Sequence, residues 1–243
     1  MNPGVRRLLR PSWLISHVLV AALIVTTLCL GIWQLSRLDE RQSYNDLFES
    51  RSSQPTESLM VLLEGAEDIT NIFYRSTEVY GEFDSSRQVY VVNKAQDGVA
   101  GVHAVSALKV QGEDIYVAVN RGFVPRVLYL EEGQEGLLPP SGIINIKGLV
   151  IEDKEDTRGY GDEVAEIDLD TLSSYWNVPL APVVLQEQFE NDTKQVIIPL
   201  PAPDLSEGPH LSYAVQWFIF MTIGLIGYPI VLRKIARQTI QVA

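Results

Sequence analysis

The sequence predicts a membrane protein of the α+β class, in which two transmembrane helices flank a β-rich extracytoplasmic domain, either barrel-like or a rolled sheet. Two apolar runs without charged side chains, residues 13–35 and 211–232, predict the helices. At ~1.5 Å per residue, each run can cross a hydrocarbon core of roughly 30 Å. The chain between them is rich in valine, isoleucine and tyrosine, in stretches separated by glycine, aspartate, asparagine and proline, which is typical of strands.

The first apolar run is too long for the core of a signal peptide and therefore predicts a spanning helix. Trp13 and Trp33 stand near its ends, where aromatic side chains favour the membrane interface. Spaced apolar residues after it predict that the helix continues into water through residues 37–51. Pro55 then ends it.

Charge is distributed unevenly along the chain and excludes two classes of partner. The formal net charge is -12, and all 31 acidic side chains lie between Asp39 and Glu207. An acidic central domain argues against nucleic-acid binding and against docking on anionic lipid, because both need a basic face. The two ends carry only basic residues, so the positive-inside rule places both termini in the cytoplasm.

Topology and length together predict the location and the segments of the chain. Too few residues precede the first helix for a mitochondrial transit peptide, so a bacterial plasma membrane is expected, with the protein passing through it twice. The expected segments are a cytoplasmic N-terminus (1–12), a transmembrane helix (13–36), the acidic extracytoplasmic domain (37–209), a second transmembrane helix (210–232) and a cytoplasmic C-terminus (233–243).

The central domain is predicted to contain seven short strands and one short helix. The expected strands are 74–79, 88–93, 102–110, 115–120, 143–151, 183–185 and 196–200. Residues 170–176 predict the helix, with Asp168 or Asp170 as its N-cap. Asn120-Arg121-Gly122 predicts a turn in which glycine is left-handed and Arg121 has a structural role.

The start of the second membrane helix carries the residue with the clearest cofactor chemistry. Gly208 is expected to be the N-cap and Pro209 the first helical residue, which puts His210 in the first turn. The helix dipole there opposes a positive charge, and neutral imidazole is the form that ligates iron. His17 and His103 are expected to be an interface residue and an ordinary domain histidine.

Aromatic and polar side chains accompany His210. Tyr213 and Trp217 share its face at i+3 and i+7 and could flank a planar ring, and Gln216 follows on the same helix. The alternative is that His210 and Gln216 only hydrogen-bond to the other helix. The residues alone leave both interpretations open.

A second polar cluster is expected in the same leaflet, at the end of the first helix. It contains Trp33, Gln34, Arg37 and Arg41, of which the tryptophan and the arginines line one helical face because they are spaced by four. The simple interpretation is an aromatic anchor with snorkelling arginines. The alternative is a shared site, in which Arg37 or Arg41 pairs with the propionates of a haem held at His210.

Catalytic and metal-binding patterns are missing from the sequence. It contains no HExxH, no G-x-S-x-G and no phosphate-binding glycine loop. Its single cysteine, Cys29, rules out an internal disulfide and a CxxC site, and its few methionines are scattered, unlike those of a copper chaperone. A non-enzymatic protein is therefore predicted.

Three motifs resemble those of the surfeit locus protein 1 family. They are Gly-Pro-His-x-x-Tyr-Ala-x-Gln-Trp-Phe at 208–218, Gly-x-Trp-Gln-x-x-Arg-x-x-x-Arg at 31–41 and Val-Asn-Arg-Gly-Phe-Val-Pro at 119–125. The family has lysine where this chain has Arg41 and usually tryptophan where it has Phe123. Its Thr-Pro-Leu turn reads Ser-Ala-Leu here, at 106–108.

The resemblance implies a function and partners. Members of that family are assembly factors for haem-copper cytochrome c oxidase in the respiratory chain and are thought to hold haem a through the histidine that matches His210. This implies that the haem iron is ligated by His210 and that the other seven residues named at the two helix ends complete the binding site. The expected partners are the catalytic subunit of the oxidase, haem a synthase and membrane lipid.

Two other classes of function stay open at this point. One is a cofactor-free structural partner that steadies an oxidase subunit. The other is an extracytoplasmic sensor or binding domain on two membrane anchors.

Overall fold

The computed structural model describes residues 8–132, 135–156, 158–189 and 196–241. The chain divides into two units, one formed by residues 1–46 and 204–243 and the other by residues 47–203. The first unit contains the two long helices, and the second contains the sheet.

The helical unit contains α1, Pro11–Ser52, and α5, His210–Gln241. By length and composition, both are able to cross a membrane, and almost none of the most apolar part of either helix is buried by protein. Ile15 and Ile223, for example, are 62% and 61% exposed. Apolar side chains directed outward in this way suit a lipid environment, where the helices satisfy their own backbone hydrogen bonds. The predicted continuation of α1 to about residue 51 is confirmed.

The start of α5 differs from the prediction by one residue. The helix begins at His210, and Gly208 lies outside it with a φ of +68°. The carbonyl oxygen of Pro209 accepts a hydrogen bond from the Tyr213 backbone N–H at 3.1 Å. Pro209 is therefore at the capping position rather than the first helical position, because its carbonyl already accepts the first helical hydrogen bond.

Glycines mark the contacts between the two long helices. A Cβ atom on Gly31 would lie 2.6 Å from Cε1 of Phe218, and one on Gly224 would lie 3.0 Å from Cγ1 of Ile24. Gly31 makes room for the aromatic ring of Phe218 on α5. Small residues at a helix contact of this kind permit close packing in a membrane.

The second unit is built on an eight-stranded mixed sheet. Its strands are β1 (Glu57–Ser58), β2 (Ser76–Gln96), β3 (Val99–Val110), β4 (Tyr116–Pro125), β5 (Ile143–Ile151), β6 (Gly159–Tyr160), β7 (Glu163–Val164) and β8 (Leu180–Glu187). Short helices are α2 (Leu59–Gly65), α3 (Arg126–Glu132) and α4 (Leu169–Trp176), with 3₁₀ turns at Ile69–Ile72 and Glu135–Leu137.

Three of the predicted strands are corrected by this sheet. The stretches 74–79 and 88–93 are parts of one 21-residue strand, β2, whose pairing with β3 shifts register between Phe83 and Gln88. A shift of this kind bends a strand without ending it. The polar residues at the bend resemble those of a turn, and for this reason the sequence predicted two strands. The expected strand at 196–200 is only a single bridge between Ile198 and Phe123.

The pairing of the strands follows a closed path. β2 pairs antiparallel with β3 and with β5, β3 with β4, β4 parallel with β8, and β8 antiparallel with β5. The path therefore returns to β2. A mixed-sheet domain together with two helices able to span a membrane confirms the α+β class.

The core of this unit consists of three clusters of buried apolar side chains. One of them includes α4, which packs Leu172 and Trp176 against the sheet. The predicted cap of α4 is confirmed, since the Asp168 carboxylate accepts a hydrogen bond from the Thr171 backbone N–H at 2.8 Å. That hydrogen bond lowers the pKa of Asp168.

Candidate functional site

The two sequence clusters meet at one hydrogen bond. Nδ1 of His210 lies 2.9 Å from Oε1 of Gln34, and both side chains are half-buried. An amide oxygen only accepts hydrogen bonds, so Nδ1 must carry the proton and donate it. In the neutral ring, Nε2 then has a free lone pair. The arrangement resembles the way outer-shell partners fix the tautomer of a ligating histidine.

The Nε2 edge of His210 is next to a residue without a side chain. A Cβ atom on Gly208 would lie 3.5 Å from Cδ2 and 3.6 Å from Nε2 of His210. The φ of +68° at Gly208 also favours glycine. Glycine therefore permits the backbone conformation, and any side chain here would lie in van der Waals contact with the Nε2 edge of the imidazole.

Residues 41–45 of α1 hold the segment that leads into α5. Arg41 donates from Nε to the Ser206 carbonyl oxygen at 3.0 Å, and from Nη2 to the Asp204 carbonyl oxygen. One turn further along, Asn45 donates from Nδ2 to the Leu205 carbonyl oxygen at 2.5 Å. These hydrogen bonds fix three consecutive carbonyl groups just before His210.

Three further hydrogen bonds support this connection, residues 204–207, which we call the Asp204–Glu207 clasp. Gln42 donates from Nε2 to Glu207 at 2.8 Å. The Asp204 carboxylate accepts from the backbone N–H and the hydroxyl of Ser206, both at 2.9 Å, and these hydrogen bonds lower the pKa of Asp204. The clasp thus folds locally, since a carboxylate that binds the amide two residues later forms a turn of its own.

The other candidate residues lie at the same helix ends but do not converge on His210. Arg37 pairs with Glu40 at 2.5 Å in an exposed i,i+3 ion pair. Trp33 and Tyr213 are 54% and 46% exposed, and Gln216 is exposed as well. Trp217 is half-buried, with its ring in an edge-on contact with that of Phe220 at 5.9 Å. Exposed aromatic rings near a helix end are available to contact a ligand, a partner or lipid.

Sequence reasoning did not identify the residues of the clasp. Of the α1 residues that bind it, only Arg41 was identified. Two signals for them exist in the sequence: Asp204-x-Ser206 is a local turn pattern, and Asn45 follows Arg41 at i+4 on one face of α1. Phe218, which packs on Gly31, was also missed as a contact between the helices.

The histidine in the other half of the helix pair has a different partner. Nδ1 of His17 lies 2.7 Å from the Tyr228 hydroxyl, and its Nε2 lies 3.1 Å from the Leu8 carbonyl oxygen. Both ring nitrogens are therefore occupied by protein.

The sheet unit contains the remaining histidine. His103 is half-buried, and its Nδ1 lies 3.4 Å from Nδ2 of Asn120. Burial, with the nearby positive charge of Lys94, lowers the pKa of His103 to about 4. Among the described residues, no three metal-ligating side chains cluster.

Arg121 has the structural surroundings predicted for it, but its tripeptide is not a turn. Residues 120–122 lie within β4, where the pairing with β3 shifts register. Gly122 has a φ of +128°, and a Cβ atom there would collide with the Ile198 carbonyl oxygen. Glycine is thus needed here because the strand is irregular and another backbone segment approaches it closely. Arg121 itself is buried and donates to the Leu137 carbonyl oxygen at 2.9 Å.

Comparison with known proteins places these features in a family context. A model of the SURF1 family matches residues 21–222, a stretch that contains both Gln34 and His210. A SURF1-like protein from Rickettsia prowazekii (strain Madrid E) is 22% identical over 247 residues, covering 93% of this chain and 90% of that protein. Surfeit locus protein 1 from Mus musculus is 29% identical over 116 residues, covering 42% of this chain and 37% of its own. Surfeit locus protein 1 from Takifugu rubripes is 24% identical over 116 residues, covering 42% of this chain and 47% of that protein.

Proposed function

The chain belongs to the SURF1 family, a family of cytochrome oxidase assembly factors, and on that premise we propose that it holds or presents haem a while the catalytic subunit of the oxidase matures. The observation that carries this proposal is the hydrogen bond between Gln34 and His210. It selects the tautomer with a free Nε2, and it does so at the end of an apolar helix pair.

The described residues offer what a haem would need. A haem iron can be held by one imidazole nitrogen of the protein. His210 would supply that nitrogen, Gln34 would orient the ring, and Gly208 places no side chain beside its Nε2 edge. The role of this chain in the proposal is binding and orientation. The coordinating iron and the redox chemistry belong to the haem.

The arginines give the proposal a specific requirement. Arg37 is engaged by Glu40, and Arg41 by the Asp204–Glu207 clasp. Pairing with propionates would require an exchange of these partners. For Arg37 that exchange is inexpensive, because exposed ion pairs contribute about 1 kcal/mol or less. We therefore propose Arg37 as the propionate partner and Arg41 as the residue that fixes the backbone before His210.

The proposal includes a location for the site. Arg233, Lys234 and Arg237 follow the apolar part of α5, and further arginines precede α1, so the positive-inside rule places both termini in the cytoplasm. The site and the acidic domain would then face the extracytoplasmic side of a bacterial plasma membrane. Alkaline phosphatase fusions test this arrangement: a fusion at Gln111 should be active, and activity at either terminus would refute it.

A cofactor-free structural partner of the oxidase is the second candidate function. The observation in its favour is that Arg37 and Arg41 already have protein partners, and that the bond between His210 and Gln34 joins the two helices without a ligand. Both functions imply contact with the catalytic subunit, so co-purification does not separate them.

An absorption spectrum separates the two functions. The full chain, co-expressed with the enzymes of haem a synthesis and purified from membranes, should carry haem a. His210→Ala should lose or shift the haem spectrum while the protein still accumulates. His17→Ala is the matched control, since it removes a helix histidine whose nitrogens both face protein. An unchanged spectrum in His210→Ala, or no haem in the unmodified protein, favours the structural partner.

A further inference from the structure

A cavity in the sheet unit contains two ionisable side chains that the proposed function does not use. Its volume is about 400 Å³. Arg121 and Glu187 both line it. The rest of its walls are mostly apolar and include Phe83, Leu137, Leu138, Phe189, Val196 and Ile197. An apolar cavity with a few polar groups is the usual form of a small-molecule site.

Arg121 brings a buried positive charge to this cavity. The residue is only 7% exposed, and its guanidinium carbon lies 5.6 Å from the centroid of the Phe83 ring. Nη1 donates to Oε1 of Gln88 at 3.0 Å and to the Leu137 carbonyl oxygen at 2.9 Å. Within the described part of the chain, its contacts are neutral oxygens, and Nε forms no hydrogen bond. The charge of Glu187 acts on Arg121 from a distance, but the two side chains form no hydrogen bond or ion pair in the described structure. Burying a charge without a direct ionic contact is costly, so a bound anion would offset that cost.

Glu187 reaches the same cavity from the end of β8. Its carboxyl group forms no ion pair or hydrogen bond with the side chains that the structure describes, although the positive charge of Arg121 acts on it. Burial raises the pKa of Glu187 to about 7, against the opposing effect of that charge. The carboxyl group can therefore hold a proton near neutral pH, and a protonated carboxyl donates a hydrogen bond.

We propose that this cavity binds a small apolar carboxylic acid, whose carboxylate pairs with Arg121 and whose hydrocarbon body lies against the apolar walls. A guanidinium group presents N–H donors in a fork that matches a carboxylate. Protonated Glu187 adds a donor for the second carboxylate oxygen. The volume is near the lower end of the roughly 300–1,000 Å³ of typical ligand cavities, which suits a medium-chain acid.

Equilibrium dialysis with radiolabelled octanoate tests this proposal on the full chain in lipid nanodiscs, with empty nanodiscs as the blank. The protein should bind one octanoate per chain. Octanol, which lacks the charge, and acetate, which lacks the apolar body, should compete at least tenfold less well. Equal competition by octanol would show binding to apolar surface alone and would overturn the proposal, as would the absence of saturable octanoate binding.

Substitutions locate the site. Arg121→Gln should weaken octanoate binding at least tenfold, and Arg158→Gln, which removes an exposed arginine of the same unit, should leave it unchanged. Ile197→Trp fills the cavity while keeping Arg121, so it should also abolish binding and serves if Arg121→Gln fails to fold. Octanoate binding that survives Ile197→Trp would refute the proposed site. The result is independent of haem binding, because every residue of the cavity lies within residues 47–203.

Discussion

Removing the acceptor of the His210 hydrogen bond gives a direct test of the proposed haem site. Gln34→Leu keeps the approximate size of the side chain but leaves Nδ1 of His210 without its partner at 2.9 Å. Loss of one such hydrogen bond costs about 0.5–1.5 kcal/mol, and more where the donor stays buried and unpaired. Outer-shell partners of metal-ligating histidines typically contribute about 10–100-fold in affinity. We therefore expect haem to bind Gln34→Leu about 10–100-fold more weakly than the unmodified protein.

Titration of haem into the apoprotein in nanodiscs, followed by absorption, measures this effect. Gln34→Glu is the matched control, because its carboxylate still accepts from Nδ1, so its affinity should be close to that of the unmodified protein. His210→Ala should bind most weakly of the set. If Gln34→Leu titrates like the unmodified protein while His210→Ala does not, the hydrogen bond plays no part in holding the ligand, and the reasoning from the tautomer is wrong.

Three further predictions concern the surroundings of the site and the sheet unit. Arg41→Gln removes two hydrogen bonds of the clasp and should lower haem occupancy and stability together, whereas Arg37→Gln should weaken haem binding and leave unfolding unchanged; identical effects in both assays would contradict the separate roles. Gly31→Leu places a side chain where the Phe218 ring lies and should destabilise the helix pair by about 1–3 kcal/mol in denaturant titration. Gly227→Leu, where a Cβ atom would meet open space, should not destabilise it. Equal unfolding midpoints for the two variants would refute the contact. His103 has a folded-state pKa of about 4, below its ordinary 6.5, so the unfolded chain takes up the proton first and the sheet unit should lose up to about 3 kcal/mol of stability as pH falls from 6.5 to 4. In thermal unfolding, His103→Gln should reduce this loss. A pH profile that is unchanged in the variant would contradict the burial argument.

The parts of the fold that the sequence predicted are those with strong local signals. Long uncharged apolar runs specify α1 and α5, and a carboxylate before a short amphipathic stretch specifies the cap at Asp168. β2 was divided in two because its register shift and its exposed polar middle resemble a turn locally, and only pairing with β3 and β5 keeps it extended. The opposite error occurred at residues 196–200. Their apolar side chains are typical of a strand, but in the structure the backbone of this stretch forms only a single bridge, between Ile198 and Phe123.

The candidate site was predictable in its composition more than in its geometry. The matched clusters on the two helices identified Gln34 and His210, but the sequence does not indicate that these two side chains form the contact. Arg41 was expected to face a ligand, and its observed partners are backbone carbonyl oxygens of residues 204 and 206. Backbone acceptors have no signature in a sequence, so contacts of this kind become visible only in the structure.

The bond between Gln34 and His210 also bears on the order in which the protein is made. It joins residues 176 positions apart, and closing a flexible loop of that length costs about 4–5 kcal/mol of entropy. One hydrogen bond returns only about 1 kcal/mol, so it cannot bring the two helices together. In the chain, α5 follows the whole sheet unit, so α1 is synthesised long before its partner. The pair is then held by packing at contacts such as Gly31 with Phe218, together with the hydrogen bonds from α1 to the Asp204–Glu207 clasp. The contact between His210 and Gln34 can therefore form only after α5 has been synthesised and has packed beside α1.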